Sequence, residues 1–195
     1  MSFAPLGLNP AMVRAVRELG LAAPTPIQAR AIPAALSGAD VQGAAQTGSG
    51  KTLAFALPLL QADMAVRREW PRSPRGLVLV PTRELAIQVG EVLRELARML
   101  PDPPRVAVLF GGVSINPQMM GLRGGTEIVV ATPGRLLDLV DHNALRLDAI
   151  SLLVLDEADR LLDLGFADEL NRVLALLPAK RQNLLFSATF PEAVQ

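Results

Sequence analysis

The sequence predicts an α/β protein with a mainly parallel central sheet and helices on both faces of that sheet. Short apolar runs recur along the chain without polar alternation, and each run ends in turn residues. This pattern is typical of strands that are buried on both faces of a parallel sheet. Amphipathic segments with helical periodicity lie between the runs, and such strand–helix alternation builds a sheet through crossover connections.

Six segments are predicted as strands. Five of them consist mostly of Val, Ile, Leu and Phe, whereas the first is weaker because it contains Gln42 and Gly43. In chain order the predicted strands are residues 40–44, 76–80, 106–110, 128–131, 152–155 and 183–186.

Five segments are predicted as helices, because their apolar residues recur at helical spacing. Pro33 is expected to kink the second helix, and Pro58 is expected to bend or end the third. Residues 67–75 and 101–105 are predicted loops, and residues 190–195 are predicted to begin a further helix. The five helices are residues 10–19, 27–36, 51–60, 83–99 and 166–177.

The composition excludes several classes of protein. Nineteen basic residues balance nineteen acidic ones over 195 residues, so a strongly basic wrapper of nucleic acid is excluded. The absence of cysteine and the single histidine, His142, exclude a disulfide scaffold and a Cys- or His-ligated transition metal. No apolar run approaches the roughly 20 residues of a membrane span, and the start lacks a signal-peptide pattern. We therefore expect a cytoplasmic protein without a membrane partner.

Polar or glycine residues follow each predicted strand. In open parallel sheets, ligands bind outside the carboxyl ends of the strands, so these segments predict one shared ligand edge. The segments are A-Q-T-G-S-G-K-T at 45–52, P-T-R at 81–83, G-G at 111–112, T-P-G-R at 132–135, D-E at 156–157 and S-A-T at 187–189.

The most specific of these segments has the form of a P-loop. Its backbone amides and the amino end of the following helix favour phosphate, Lys51 would reach the β- and γ-phosphates, and Thr52 Oγ1 would bind Mg²⁺. Ala45 departs from the general pattern by replacing its first glycine. The phosphate-binding candidates are Gln46, Thr47, Gly48, Ser49, Gly50, Lys51 and Thr52.

Asp156 and Glu157 supply the carboxylates that a phosphate cradle lacks. A hydrophobic strand that ends in Asp is a Walker-B arrangement, in which the carboxylate holds Mg²⁺ directly or through water. Glu157 could orient or deprotonate an attacking water. Together with the P-loop, this pair predicts an enzyme that binds a triphosphate and Mg²⁺.

Three further segments allow more than one interpretation. Thr82 precedes a predicted helix, and Thr132-Pro133-Gly134 resembles a helix start. Both threonines could be ordinary N-caps, or the free amides beside them could bind phosphate. Gly111 and Gly112 permit a close backbone approach. In the Arg-rich loop 67–75, Trp70 could stack on a nucleic-acid base, but we expect it to pack on its own protein instead.

The ordered set of segments, together with P-T-P-I-Q at 24–28, P-T-R-E-L-A at 81–86 and D-E-A-D at 156–159, resembles the first RecA-like domain of the DEAD-box RNA helicases. The resemblance runs from about Phe3 to the last residue. The context S-F-x-x-L-G-L and D-E-A-D-R-L-L-D-L-G-F is most similar to bacterial RhlE-like members. The resemblance to the family implies a RecA-like P-loop NTPase domain, with residues 1–38 as a Q-motif helical segment and residues 39–195 as ATP-binding domain 1.

The resemblance also implies site residues. Gln28 would read adenine, with Thr25 in support and Phe3 nearby, and Leu21 replaces the aromatic residue that usually stacks on the base. Lys51, Asp156 and Glu157 would be catalytic, with Thr52 and Asp156 at the metal and Glu157 as base. Asp159, Ser187 and Thr189 would couple nucleotide state to RNA binding. The RNA backbone would contact Pro81, Thr82, Arg83, Gly111, Gly112, Thr132, Gly134 and Arg135.

The function implied is ATP-dependent unwinding of RNA, with sequence-independent backbone contacts. A second RecA-like domain, expected to be absent from this chain, would complete the ATP site, so the chain alone is expected to be monomeric and nearly inactive. Two alternatives remain at this point. One is a small P-loop kinase, and the other is a non-catalytic RNA- or partner-binding module.

Overall fold

The computed structural model describes residues 2–189 and confirms the α/β prediction. A short 3₁₀ turn, Ala4–Leu6, precedes eight α-helices and six strands within these residues. They are α1 Pro10–Glu18, α2 Pro26–Leu36, β1 Val41–Ala44, α3 Lys51–Met64, β2 Gly76–Leu79, α4 Arg83–Arg98, β3 Val106–Leu109, α5 Asn116–Gly121, β4 Ile128–Ala131, α6 Pro133–Asp141, β5 Leu152–Leu155, α7 Ala158–Asp163, α8 Ala167–Leu176 and β6 Gln182–Ser187.

The six strands form one sheet in the order β1-β6-β5-β2-β4-β3, and every neighbouring pair is parallel. β1 and β3 are therefore the edge strands. Because all strands run the same way, their carboxyl ends lie along one edge of the sheet.

The sheet is covered on both faces, as the apolar strands require. Alternate residues of β2 enter different cores: Val78 packs with α1 to α4, whereas Leu77 and Leu79 pack with α6 and α8. All four residues of this strand are buried. This explains why the central strands have no polar alternation in the sequence.

The helix α3 corrects the prediction made for Pro58. The helix continues through this proline to Met64. An interior proline destabilises a helix by roughly 3 kcal/mol, but burial of one large apolar side chain stabilises the fold by about 1.5–3 kcal/mol. Phe55, Leu57 and Leu60 are each 0% exposed beside Pro58, so core packing outweighs the local cost.

Two further differences separate the prediction from the structure, and one prediction cannot be compared with it. The short helices α5 and α7 were not predicted, because six residues are too few for a clear periodic pattern. Trp70 was expected to pack on its own protein, and this was wrong, since 76% of the residue is exposed. The helix predicted within 190–195 lies outside the described residues. No helix in the described part of the chain is long and apolar enough to cross a bilayer.

Candidate functional site

The strand order divides the carboxyl edge of the sheet into two halves. The P-loop, S-A-T and D-E segments follow β1, β6 and β5, which are three adjacent strands. The P-T-R, T-P-G-R and G-G segments follow β2, β4 and β3, which are the other three. The predicted nucleotide residues therefore lie on one half and the predicted RNA residues on the other, with contact between the halves at β5 and β2.

The P-loop joins β1 to α3 through two glycines with positive φ. Gly48 has φ 83° and Gly50 has φ 86°, a backbone region that side-chain-bearing residues rarely adopt. Within the described residues, the amides of Ala45 and Ser49 donate to Ser187 O at 2.9 Å and Gln46 O at 3.2 Å. The loop thus turns tightly into the amino end of a 14-residue helix, where an anion is favoured.

Lys51 connects the P-loop to the acidic pair. Its Nζ lies 3.1 Å from Asp156 Oδ1 and 3.4 Å from Glu157 Oε1. The lysine side chain is 7% exposed and that of Asp156 is 0% exposed, so the charges interact with little screening by water. One cation and two carboxylates thus meet where the sequence places phosphate chemistry.

The carboxylate of Asp156 has the character of a cation ligand. Burial raises the pKa of Asp156 above its ordinary value, although the adjacent Lys51 ammonium lowers it in part. Apart from the contact of Lys51 Nζ with Oδ1, neither oxygen has a hydrogen-bond partner among the described residues. A buried carboxylate with an unpartnered oxygen fits a hard cation such as Mg²⁺.

No group of three or more His, Cys, Asp or Glu side chains in residues 2–189 is arranged to hold a metal ion.

Glu157 sits in a left-handed backbone conformation, with φ 52° and ψ 52°, at the start of α7. A non-glycine residue in this region is strained, and such strain is concentrated at functional sites. The carboxylate lies between two cations, because Arg160 Nη1 is 3.3 Å from Glu157 Oε2 on the side opposite Lys51. Arg160 was missed by the sequence reasoning, although the i,i+3 spacing on a helix could have indicated this pair.

Gln28 is buried against the P-loop. Its Nε2 donates to Gly50 O at 3.0 Å, and its Oε1 accepts from the backbone amide of Thr25 at 2.9 Å. The second bond is half of a capping box at the start of α2, a pattern that the Thr25–Gln28 spacing signals in the sequence. Gln28 therefore ties α2 to the residue that precedes Lys51.

A cavity of about 810 Å³ opens beside this contact, between the start of α2, the strand β1 and the P-loop. That volume is in the range of small-molecule sites. Leu21 is not among the lining residues and packs instead against the core formed by α1 to α4. Phe3 is buried in the same core. Residues that the sequence reasoning missed also line the cavity, including Ile27, Arg30 and Gln42.

Asp159, Ser187 and Thr189 form one hydrogen-bonded cluster between α7 and the end of β6. Asp159 Oδ2 accepts from Thr189 Oγ1 at 3.0 Å and from Thr189 N at 3.2 Å, and Ser187 Oγ accepts from Asp159 N at 3.2 Å. Partial burial raises the pKa of Asp159, but hydrogen bonds from Ser187, Thr189 and the backbone outweigh it, so the pKa is lowered.

On the other half of the edge, Thr82 and Arg83 lie at the start of α4. Thr82 Oγ1 caps this helix by accepting from Leu85 N at 3.2 Å, and Pro81 beside it is buried. The Arg83 guanidinium lies 5.0 Å from the centre of the Phe110 ring. Phe110 was not predicted as a site residue, and it links the end of β3 to α4.

Gly111, Gly112 and Gly134 leave the backbone open in this half. A Cβ atom at any of the three would meet nothing within 4 Å, so a ligand could approach the main chain closely. Thr132 precedes α6 and donates its amide to Leu109 O at 3.0 Å. Arg135 is largely buried, with its side chain 9% exposed, and its Nη2 donates to Val113 O at 2.8 Å. Arg135 thereby holds the backbone of residue 113, which directly follows Gly111 and Gly112.

Comparison with known proteins gives a consistent family. The model of the family described as DEAD/DEAH box helicase matches residues 25–195. Over 195 residues, the chain is 45% identical to "ATP-dependent RNA helicase DeaD" of Mycobacterium tuberculosis and 47% identical to the protein of that name in Escherichia coli K12. It is 50% identical over 187 residues to "ATP-dependent RNA helicase DbpA" of Escherichia coli K12.

The coverage of these relatives is unequal. The alignments include 100%, 100% and 96% of this chain, but only 34%, 30% and 40% of the M. tuberculosis DeaD, the E. coli DeaD and DbpA. The chain thus spans about a third of the length of the curated relatives. The RhlE-like subtype stays a prediction.

Proposed function

The chain belongs to the DEAD/DEAH box helicase family, and on that basis we propose that it is the nucleotide-binding part of an ATP-dependent RNA helicase. The observation that carries the proposal is the contact of Lys51 with both Asp156 and Glu157 at the carboxyl edge of the sheet. Family membership and this contact together favour the helicase reading over a metabolite kinase or a non-catalytic binding module.

We assign phosphate binding to the P-loop. The backbone amides of residues 46–52 and the amino end of α3 face the triphosphate, and Lys51 neutralises its β- and γ-phosphates. Because Lys51 already contacts both carboxylates, its ammonium holds the acidic pair close to the phosphates. Catalysis of this kind depends mainly on positioning and on electrostatic stabilisation.

Thr52 and Asp156 are proposed as the residues that hold Mg²⁺, which would neutralise charge on the phosphates. The unpartnered Oδ2 of Asp156 supports this assignment. Glu157 is proposed as the base that accepts the proton of the attacking water. Its carboxylate contacts both Lys51 and Arg160, which hold it beside the P-loop.

Adenine is proposed to occupy the cavity beside Gln28 and Thr25. A primary amide can donate and accept at once, which suits the hydrogen-bonding edge of adenine. In the structure this amide spans Thr25 N and Gly50 O, so recognition of the base would exchange these bonds. Because Gly50 belongs to the P-loop, such an exchange would couple binding of the base to the P-loop.

RNA is proposed to lie across the other half of the edge. Its sugar-phosphate backbone would contact Thr82, Arg83, Gly111, Gly112, Thr132 and Gly134, with Pro81 and Arg135 supporting them from buried positions. Contacts to the backbone carry no sequence information, and the 2′-hydroxyl would distinguish RNA from DNA. The cluster of Asp159, Ser187 and Thr189 is proposed to couple the two halves.

The wider organisation belongs to the same proposal. Residues 1–38 act as the Q-motif helical segment and residues 39–195 as ATP-binding domain 1. A second RecA-like domain of the whole protein completes the ATP site, while the 195-residue chain by itself is monomeric and hydrolyses ATP feebly. The expected cytoplasmic location stays a prediction.

Calorimetric titration of Mg²⁺–ATP into the chain tests the proposal. We expect Lys51→Ala to abolish measurable binding and Lys180→Ala, at the only other lysine, to leave it unchanged. Circular dichroism and thermal unfolding of both variants show whether they are folded. Equal binding of ATP by a folded Lys51→Ala variant would contradict the proposal.

A further inference from the structure

Trp70 is a large aromatic side chain that the proposed site does not use. It is 76% exposed and is the single tryptophan of the chain. It belongs to the loop between α3 and β2, which lies at the amino ends of the strands. Since four-residue strands rise about 13 Å, this loop is at the end of the sheet away from the proposed RNA path.

The loop is fixed on both sides of Trp70. Arg68 Nη1 lies 2.7 Å from Asp63 Oδ2, and Arg72 Nη1 lies 3.0 Å from Glu127 Oε1. Both carboxylates are buried, with side chains 4% and 2% exposed. Ion pairs with buried partners hold the loop backbone, so the indole is presented from a pre-organised segment and little ordering entropy is lost on binding.

Arg105 adds a cation beside the indole. A Cβ built at Gly124 would be 3.0 Å from Arg105 Nη1 and 3.4 Å from Trp70 Cη2, so both side chains approach the same glycine. The guanidinium also donates a long hydrogen bond of 3.4 Å from Nη1 to Gly125 O. Two further arginines are exposed. Arg67 lies in the same loop as Trp70, and Arg123 directly precedes Gly124.

The surroundings of Trp70 favour nucleic acid over protein. Of the other large apolar side chains that are exposed in residues 2–189, only Val66 shares this loop. A protein-binding hot spot would lie within a wider apolar patch. An aromatic face beside arginines instead matches the way in which single-stranded nucleic acid is bound, by base stacking and phosphate contacts.

We propose that Trp70 and Arg105 form a second binding surface for single-stranded RNA, in which a base stacks on the indole and Arg105 contacts the adjacent phosphate. The choice of RNA as ligand rests on the proposed function. The surface is separate from the strand ends that carry Arg83 and Thr132, and it would hold a segment of RNA outside the main path.

Fluorescence of the single tryptophan tests the proposal directly. We expect oligouridylate to quench Trp70 emission in a saturable manner, with a midpoint that rises as salt is added. Arg105→Gln should raise the midpoint several-fold, whereas Arg172→Gln, at an exposed arginine on α8, should not. Absence of quenching, or equal quenching by polyglutamate of the same length, would overturn the assignment to RNA.

Two variants separate this surface from the proposed RNA path. Arg83→Ala should leave the quenching of Trp70 intact, and loss of quenching in that variant would overturn a separate surface. In the Arg83→Ala background, which removes a contact of the main path, Trp70→Ala should weaken the binding of labelled oligouridylate by about 5- to 150-fold, the effect of one lost base stack, and Trp70→Phe should restore most of it. Anisotropy with Trp70→Ala alone measures the main path without the indole, so failure of that variant to bind RNA counts against the proposed function and not against this surface.

Discussion

At the residue scale, the site combines groups that the sequence identifies with contacts that it cannot supply. The spacing of A-Q-T-G-S-G-K-T and D-E-A-D indicates the chemistry of Lys51, Asp156 and Glu157, because glycines, a lysine and a strand-ending acid have direct physical roles. The bond from Gln28 to Gly50 O was not predictable. It depends on how α2 packs against the P-loop, which is a tertiary contact across 22 residues.

Substitution of Gln28 should change base selection more than phosphate binding. We expect Gln28→Ala to reduce the ratio of ATP to GTP affinity at least tenfold. A wrong base leaves the buried polar groups of such a site without hydrogen-bond partners, and this penalty is lost when the polar group is removed. Gln42→Ala, at an exposed residue that lines the same cavity, is the matched control. Competition calorimetry measures both ratios, and an unchanged ratio in Gln28→Ala would refute the base-reading role.

The lowered pKa of Asp159 predicts that its cluster survives mild acid. The stabilisation from an ionised Asp159 is fully present above its unfolded pKa of about 3.9 and is lost only as pH falls through the lower folded value. Carbon-13 NMR of the labelled carboxyl group should therefore show a titration midpoint below that of aspartate in an unstructured peptide, which is about 3.9. A midpoint at or above the peptide value would contradict the hydrogen-bonded cluster.

At the element scale, the strands and long helices followed from hydrophobic pattern, whereas α5, α7 and the passage of α3 through Pro58 did not. Two of these are short, and the third depends on core packing that overrides a local preference. The hydrophobic pattern of the sequence also does not show how closely a helix packs on an edge strand. Gly90 in α4 is an example, since a Cβ there would lie 2.3 Å from Val108 Cγ2 on β3.

Gly90→Ala should therefore destabilise the protein, although alanine is the better helix former by about 1 kcal/mol. We expect a net loss of about 1–3 kcal/mol in the free energy of unfolding, because Val108 is stiff and the edge strand must shift. Urea denaturation measures the loss. The double variant Gly90→Ala, Val108→Ala should show a favourable coupling energy, and strict additivity would argue against this close contact.

At the scale of the whole molecule, the parallel sheet separates nucleotide residues from RNA residues by strand order. The sequence predicted a shared ligand edge, but it could not give that order, which depends on which strands pair. At the opposite end of the sheet, buried Glu127 forms hydrogen bonds and ion pairs that the composition does not reveal. Glu127, with its side chain 2% exposed, accepts from Arg72 and from the backbone amide of Arg105, and thereby joins the loop before β2 to the start of β3.

Loss of the Glu127 charge should destabilise the whole domain. We expect Glu127→Gln to lower the free energy of unfolding by about 1–3 kcal/mol, since Arg72, whose side chain is 25% exposed, loses its charged partner. Asp148→Asn breaks a pair whose side chains are 84% and 61% exposed, and should change it by less than about 1 kcal/mol. Equal effects of the two substitutions in urea denaturation would show that the buried network does not hold the loop.

The central claim is that the P-loop and the acidic pair bind one nucleotide together. A crystal structure of the chain with ADP and Mg²⁺ tests it most directly. The predicted result places the β-phosphate against the amides of residues 48–52 and Lys51, with the cation beside Asp156 and the base in the cavity near Gln28. Nucleotide bound at any other surface, with Lys51 still paired to both carboxylates, would contradict the claim.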